Sequence, residues 1–206
     1  MQTSSPFRRD RARLPAAERR RQILEMTTRL IAERGFWGLS MQDVADGCGL
    51  TVPGMLHHVG SKDSLLVAVL EYRDEEDARS LAEKLGLPVH QLWAEGPRRV
   101  TLPEVCSALV RRNAEQPEIV RLFAVLEAES LAPGHPAHAY FKARQRRTLD
   151  QFTALSDGDV ADPRELAVQV AALMDGLQIQ WLREPETIDL VTAWEAAAAR
   201  LFRVPG

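Results

Sequence analysis

The polar side chains whose types and spacing could do chemistry gather between residues 39 and 62, which read LSMQDVADGCGLTVPGMLHHVGSK. Ser40 and Thr51 each precede a short apolar-periodic run, where a hydroxyl can accept from the free N–H groups of a helix start. Asp43, three residues after Ser40, makes a near-version of a capping box. Gly49 lets the chain turn sharply between the runs, and Pro53 fits the first turn of the second. Val44, Ala45, Leu50 and Met55 then face a core. Two short helices crossed in this way form a helix-turn-helix, whose second helix can lie in the major groove of DNA. The chemistry expected is recognition of double-stranded DNA.

Turnover and metal binding are not expected elsewhere. No Ser/His/Asp or Cys/His arrangement has supporting context, and Cys106 falls on an apolar stripe, where thiols are usually inert. His135 and His138, with Glu127 and Glu129 upstream, invite a metal reading, but Pro136 places His135 in a loop. His57 and His58, as adjacent helical residues, should point apart. We therefore expect neither cofactor nor metal. Two distant cysteines without a Cys-x-x-Cys motif read as reduced thiols. No apolar stretch approaches the roughly 18 residues of a membrane span, and the N-terminus lacks a signal-peptide core. A cytoplasmic location without membrane contact is expected.

Charge is unevenly distributed. Residues 1–62 hold 10 Lys/Arg against 6 Asp/Glu, whereas the rest hold 16 against 23. A basic front and an acidic back suggest a polyanionic partner for the front only.

The elements that must position these residues are helices throughout. Residues 1–15, with Arg8, Arg9, Arg11 and Arg13, read as a flexible basic arm. Such an arm can track phosphates or enter the minor groove, or remain a tail without a fixed role. Helical spacing of Ile23, Met26, Leu30 and Ile31 predicts a first helix over 16–34, ended by Gly35. Phe36, Trp37 and Leu39 would pack it onto the next two. After the helix-turn-helix, one long helix is expected over 61–85, with Asp74, Glu75 and Glu76 in a solvated acidic run. A loop with one short turn follows, then helices over 102–115, 117–131, 136–155, 163–184 and 187–202. The fold class is all-α with nine helices. Residues 16–60 form a DNA-binding domain and 61–206 a helical body.

The stretch from about Arg21 to Leu70, with IL-x5-LIAERGFWGLSM-x-DVADGCGL and then HHVGSKDSLL, resembles the N-terminal domain of TetR/AcrR-family transcriptional regulators. The resemblance implies that Thr51, Val52, Pro53 and Gly54 open the recognition helix and meet base edges and phosphates. It places Ser40, Met41 and Gln42 at the preceding helix start, where a phosphate can sit on the positive helix end. Gln42 could also pair with adenine. His57, His58 and Lys62 match positions that grip the backbone. The family usually has an aromatic Tyr where this chain has Leu56, which should cost one phosphate contact per subunit and hence affinity rather than specificity.

For the body, Leu166, Val170, Leu173 and Leu177, with Leu190, Trp194, Ala197 and Leu201, form apolar stripes with small residues beside them. The resemblance implies that this helix pair meets its twin in a four-helix bundle, making a homodimer suited to a palindromic operator. Polar residues interrupting apolar stripes suggest a ligand cavity lined by some of Trp93, Cys106, Leu109, Phe123, Glu127, Tyr140, Phe141, Met174, Gln178 and Trp181, each of which could equally be paired or solvent-facing. The function expected is a dimeric DNA-binding regulator, most often a repressor in this family, released by a small, partly hydrophobic effector. The alternative is a small-molecule-binding or adaptor protein whose DNA affinity has weakened at Leu56.

Overall fold

The chain forms nine α-helices, with no strand, among the residues described in this computed structural model: 14–35, 38–93, 100–156 and 161–202. They are α1 (Ala16–Arg34), α2 (Met41–Gly47), α3 (Val52–Val59), α4 (Lys62–Lys84), α5 (Leu102–Ala114), α6 (Pro117–Glu129), α7 (His138–Ser156), α8 (Pro163–Arg183) and α9 (Leu190–Leu201). Between α4 and α5 lies one 3-10 turn, Val89–Gln91. Ser40, Thr51, Ser61, Thr101, Asp162 and Asp189 each accept a backbone N–H three residues on, satisfying a donor that a helix start would otherwise leave free. Ser40–Asp43 and Thr101–Glu104 are complete capping boxes.

Three expected boundaries shift for local reasons. Helix α7 starts at His138 because the His135 ring accepts the Ala137 N–H at 3.2 Å and holds the preceding residues in a turn. Helix α6 ends at Glu129, where the Ser130 hydroxyl donates to the Glu127 carbonyl at 2.7 Å. Helix α9 begins after Asp189, whose carboxylate accepts the Thr192 N–H at 2.7 Å.

Burial sorts the apolar side chains into two clusters, and these do not divide at residue 60. The first joins α1, α2, α3 and the front half of α4 to Ile119, Leu122 and Leu126 of α6 and to Tyr140 and Phe141 of α7. Ile23, Val44, Ala45, Met55 and Leu70 are fully buried there. The second joins the rear of α4 to α5, α8, α9 and the end of α7 around Val105, Cys106, Val170 and Trp194. Burying one such large side chain contributes about 1.5–3 kcal/mol. Helix α4 runs through both clusters.

Charge as well as packing holds α4 in place. The Arg73 side chain is buried and donates to Asp77 at 2.8 Å and to Gln116 at 2.5 Å. Arg112 of α5 donates to the same Asp77 at 2.7 Å and to Ser80 at 2.7 Å. Asp74, expected in a solvated run, instead accepts from Tyr140 at 2.7 Å and from Arg144 and Arg147 at 3.1 Å each. The carboxylates of α4 therefore bind it to α5 on one side and α7 on the other.

Candidate nucleic-acid interface and ligand cavity

Helices α1 and α2 approach closely because one residue has no side chain. A Cβ at Gly47 would sit 2.7 Å from the Met26 sulfur and 2.9 Å from its Cγ, so α1 and α2 meet backbone to side chain. Gly49 then takes φ +65°, in the left-handed region, and returns the chain to α3. Met55 and Val59 point inward from α3, which leaves its opposite face to solvent. Arg20 of α1 donates to the His58 carbonyl at 3.4 Å and so touches the far end of α3, a contact not anticipated from sequence.

Six of the ten residues expected at DNA are exposed: Ser40, Gln42, Thr51, Pro53, His57 and Lys62. Met41 and Val52 are half-buried and pack against the first core cluster, and Gly54 and His58 are also half-buried. The Thr51 hydroxyl oxygen accepts the Gly54 N–H at 3.2 Å, and a Cβ at Gly54 would stand 3.1 Å from that oxygen. Gly54 thus keeps the cap uncrowded. The Ser40 hydroxyl donates to Asp43, and the Gln42 amide donates to Asp46 at 2.7 Å. The Ser40 bond to Asp43 holds the latter's carboxyl below the usual range. The rings of His57 and His58 do not point apart as expected. Their centroids are 5.5 Å apart in an edge contact, possible because both project from the last turn of a short helix. Leu56 leans half-buried onto the hook's core rather than standing outward. The basic arm, and Phe36 and Trp37, lie outside the described residues.

In the body, a cavity of about 770 Å³ opens between α4, α5, α6, α7 and α8. Trp93, Leu109, Glu127, Met174 and Gln178, expected of a ligand cavity, line it together with Asp175, a polar interruption of the α8 stripe, and with Asp74, Asp77, Arg144 and Phe152, which sequence reasoning missed. The spacing of Arg144 and Arg147 on one helix, opposite the acidic run of α4, was the available signal. Cys106, Phe123, Tyr140, Phe141 and Trp181 lie outside the wall. Cys106 is fully buried in the second cluster, where burial pushes its thiol up and keeps it protonated. Tyr140 and Phe141 belong to the first cluster with Phe123 against them, and Trp181 packs into the second. Arg144 also lies over the Phe123 ring, 5.0 Å from its centroid. The Asn113 amide donates to Gln178 at 2.8 Å, and partial withdrawal from water, then the charge of Glu127, push Asp175 up to about 6 against the pull of Arg144.

The residues expected at a dimer interface also divide. Val170, Leu190 and Trp194 are buried inside the protomer, and the Trp194 indole donates to Ser107 at 3.1 Å. Leu166, Leu173, Leu177 and Leu201 are half-buried against the same cluster, and Ala197 is half-buried. An apolar stripe read from sequence marks the buried side of a helix, and here that side faces the chain's own core. The exposed side of α8 carries instead Val168, Ala172, Gly176 and Ile179 at helical spacing, of which Val168 and Ala172 also line the cavity. His135 and His138 serve the turn before α7, the latter through a 2.7 Å contact of its ring with the Ser130 carbonyl. Among the described residues no group of His, Cys, Asp and Glu is arranged to hold a metal ion, and no helix is long and apolar enough to cross a membrane.

Comparisons with known proteins point the same way. Residues 23–69 match the family model described as bacterial regulatory proteins, tetR family. The chain is similar to the HTH-type transcriptional regulator PksA of Bacillus subtilis (strain 168), 36% identical over 191 residues that cover 84% of this chain and 82% of that protein. It also resembles the HTH-type transcriptional activator FasR of Mycolicibacterium smegmatis, 37% identical over 59 residues, but that match covers only 29% of this chain and 27% of FasR. In structure it resembles a TetR transcription regulator from Haloarcula marismortui with a TM-score of 0.72 and 19% identity, covering 88% of this chain and 95% of that one.

Proposed function

Because this chain belongs to the TetR family of bacterial regulatory proteins, and so is a DNA-binding transcription regulator, we propose that it binds a palindromic operator as a homodimer, represses there, and is released by a small, partly hydrophobic ligand in the body cavity. The observation that carries this reading is the course of α4. Lys62 opens that helix, exposed beside α3, and Asp74, Asp77, Ala78 and Leu81 of the same helix form part of the cavity wall. One rigid rod thus joins the candidate DNA grip to the candidate ligand site.

Base reading falls to the start of α3, where Thr51 and Pro53 are exposed, and backbone contact to Ser40, Gln42, His57 and Lys62. A single helix of eight residues reads too few bases for specificity, so two copies on a palindrome are needed. The outward stripe of Val168, Ala172, Gly176 and Ile179 supports a two-fold contact through α8, since small residues between larger ones allow close helix approach. Ligand and DNA oppose each other only if the ligand prefers the state in which the two hooks are wrongly spaced. Asp74 and Asp77 tie α4 to α7 and α5 from within the cavity wall, so a ligand touching them acts directly on the ties that set the angle of α4.

Selection of bound sequences from random duplex DNA tests the reading. Enrichment of one inverted repeat, with affinity falling steeply as salt rises, is the expected result. Failure to enrich any sequence, with no salt-dependent binding, would sink it.

A further inference from the structure

The polar groups of the cavity are unequally committed. Asn113 and Gln178 satisfy each other, and Gln178 also donates back to the Met174 carbonyl at 3.1 Å. Asp77 is held by Arg73 and Arg112, and Asp74 by Arg144, Arg147 and Tyr140. Also facing the space are Glu71 and Glu75 of α4, both exposed, with Glu127 of α6 and Asp175 of α8; none of the four has an ion-pair partner within 4 Å among the described residues, and Asp175 accepts from the Gln178 amide at 3.5 Å. The guanidinium of Arg144 is near enough for Glu127 and Asp175 to feel its charge, but it is already hydrogen-bonded to Asp74. The wall carries Glu71, Asp74, Glu75, Asp77, Glu127 and Asp175 against Arg144 and Arg147, so negative charge stays in excess even after Arg73 and Arg112 are set against Asp77. The rest of the wall is apolar or aromatic, with Trp93, Leu109, Phe152 and Met174 prominent.

We propose that the ligand of this cavity is a hydrophobic organic cation, its apolar body lying against Trp93, Leu109, Phe152 and Met174 and its charged nitrogen between Glu127 and Asp175. This deepens the effector reading above and rests on it. A cation placed there supplies the counter-charge that the fold withholds from two carboxylates, in a cleft partly withdrawn from water where a charge pair is stronger than in bulk solvent. A neutral ligand of the same shape would leave both carboxylates unpaired. An anionic one would be repelled by them and would have to take Arg144 and Arg147 from Asp74, to which both are already bonded. The volume of about 770 Å³ suits a drug-sized molecule.

Three probes with one ten-carbon chain separate the possibilities: decylammonium, decanol and decanoate, titrated calorimetrically below their micellar concentrations into the full chain at pH 7.5. Decylammonium should bind at least tenfold more tightly than decanol, with decanoate weakest. E127Q and D175N should each shrink the ammonium preference, and together reduce it to within twofold, while decanol affinity holds. Thermal melts of each variant show whether it is folded, and the retained decanol affinity shows that its cavity is intact. Equal binding of all three probes, or a preference for decanol or decanoate, overturns the cationic assignment and leaves the cavity as a ligand site. Binding of none of the three overturns the cavity reading itself, and the cationic assignment with it. A preference for decylammonium that survives the double substitution overturns the roles given to Glu127 and Asp175.

Discussion

Two exposed residues of the hook have separable jobs. Thr51 caps α3 through its hydroxyl oxygen and also stands at the start of the recognition helix, whereas Lys62 offers only a charge. Thr51→Ala should lower stability by about 1 kcal/mol through loss of the cap and flatten the preference for the selected operator over a mismatched one. Lys62→Ala should weaken binding to both DNAs alike and reduce the slope of log affinity against log salt by about 1. Fluorescence anisotropy across a salt series reads both effects, and a preference untouched by Thr51→Ala would remove that residue from base recognition. Capping residues such as Ser40 and Thr51 were legible in the sequence because a cap is a local matter of a few residues. The Met26–Gly47 approach was not, since nothing in either segment announces that the other will lie across it. Nor was the edge contact of His57 and His58, which depends on rotamers rather than on helical spacing.

At the scale of elements, the ties of α4 make the sharper prediction. Arg73 is buried and shares Asp77 with Arg112, so removing the carboxylate strands two guanidinium groups in a poorly solvated place. Asp77→Ala should cost about 3–5 kcal/mol, whereas Arg73→Met, which removes a buried charge and keeps most of the volume, should cost far less. Urea denaturation of the two variants gives the comparison, and an Asp77→Ala variant no less stable than Arg73→Met would show that the network does not hold α4. Helix placement was largely readable from Pro, Gly and cap residues at segment ends, to within a few residues. The partners that Asp74 and Asp77 find on α7 and α5 were not, because those arginines come from 35 to 73 residues further along the chain. An acidic run looks the same on a helix wheel whether water or arginine faces it.

For the whole molecule, the outward stripe of α8 and the charge of the cavity each carry a test. A Cβ at Gly176 meets nothing within 4 Å inside the protomer, so Gly176→Arg should fold normally and, if α8 meets its twin there, yield a monomer by light scattering. A dimer that survives this substitution places the contact elsewhere. Withdrawal from water, then the charge of Glu127 of α6, pushes the Asp175 carboxyl from 3.8 up to about 6, against the opposing pull of Arg144 of α7. The folded state therefore holds this proton more firmly than the unfolded one, and stability drains away as pH rises from about 4 to 6. Asp175→Asn should melt higher than the wild type at pH 7 and converge with it near pH 4. A constant offset across that range would contradict the assignment. The apolar stripes of α8 and α9 could be seen in the sequence, but which of their sides faces outward could not. Periodicity marks one face as buried without saying whether the chain's own core or a second copy covers it. Hence Val170, Leu190 and Trp194 were expected at an interface and instead lie inside.

The first core cluster bears on how such proteins can be recombined. Ile119, Leu122, Leu126, Tyr140 and Phe141 complete the packing of α1 to α3 from far along the chain. The hook is therefore not a cassette. A chimera made by grafting residues 16–60 onto another regulator's body would inherit half of a fitted surface, and retargeting this protein to a new operator is better attempted by changing the exposed start of α3 than by exchanging the segment whole.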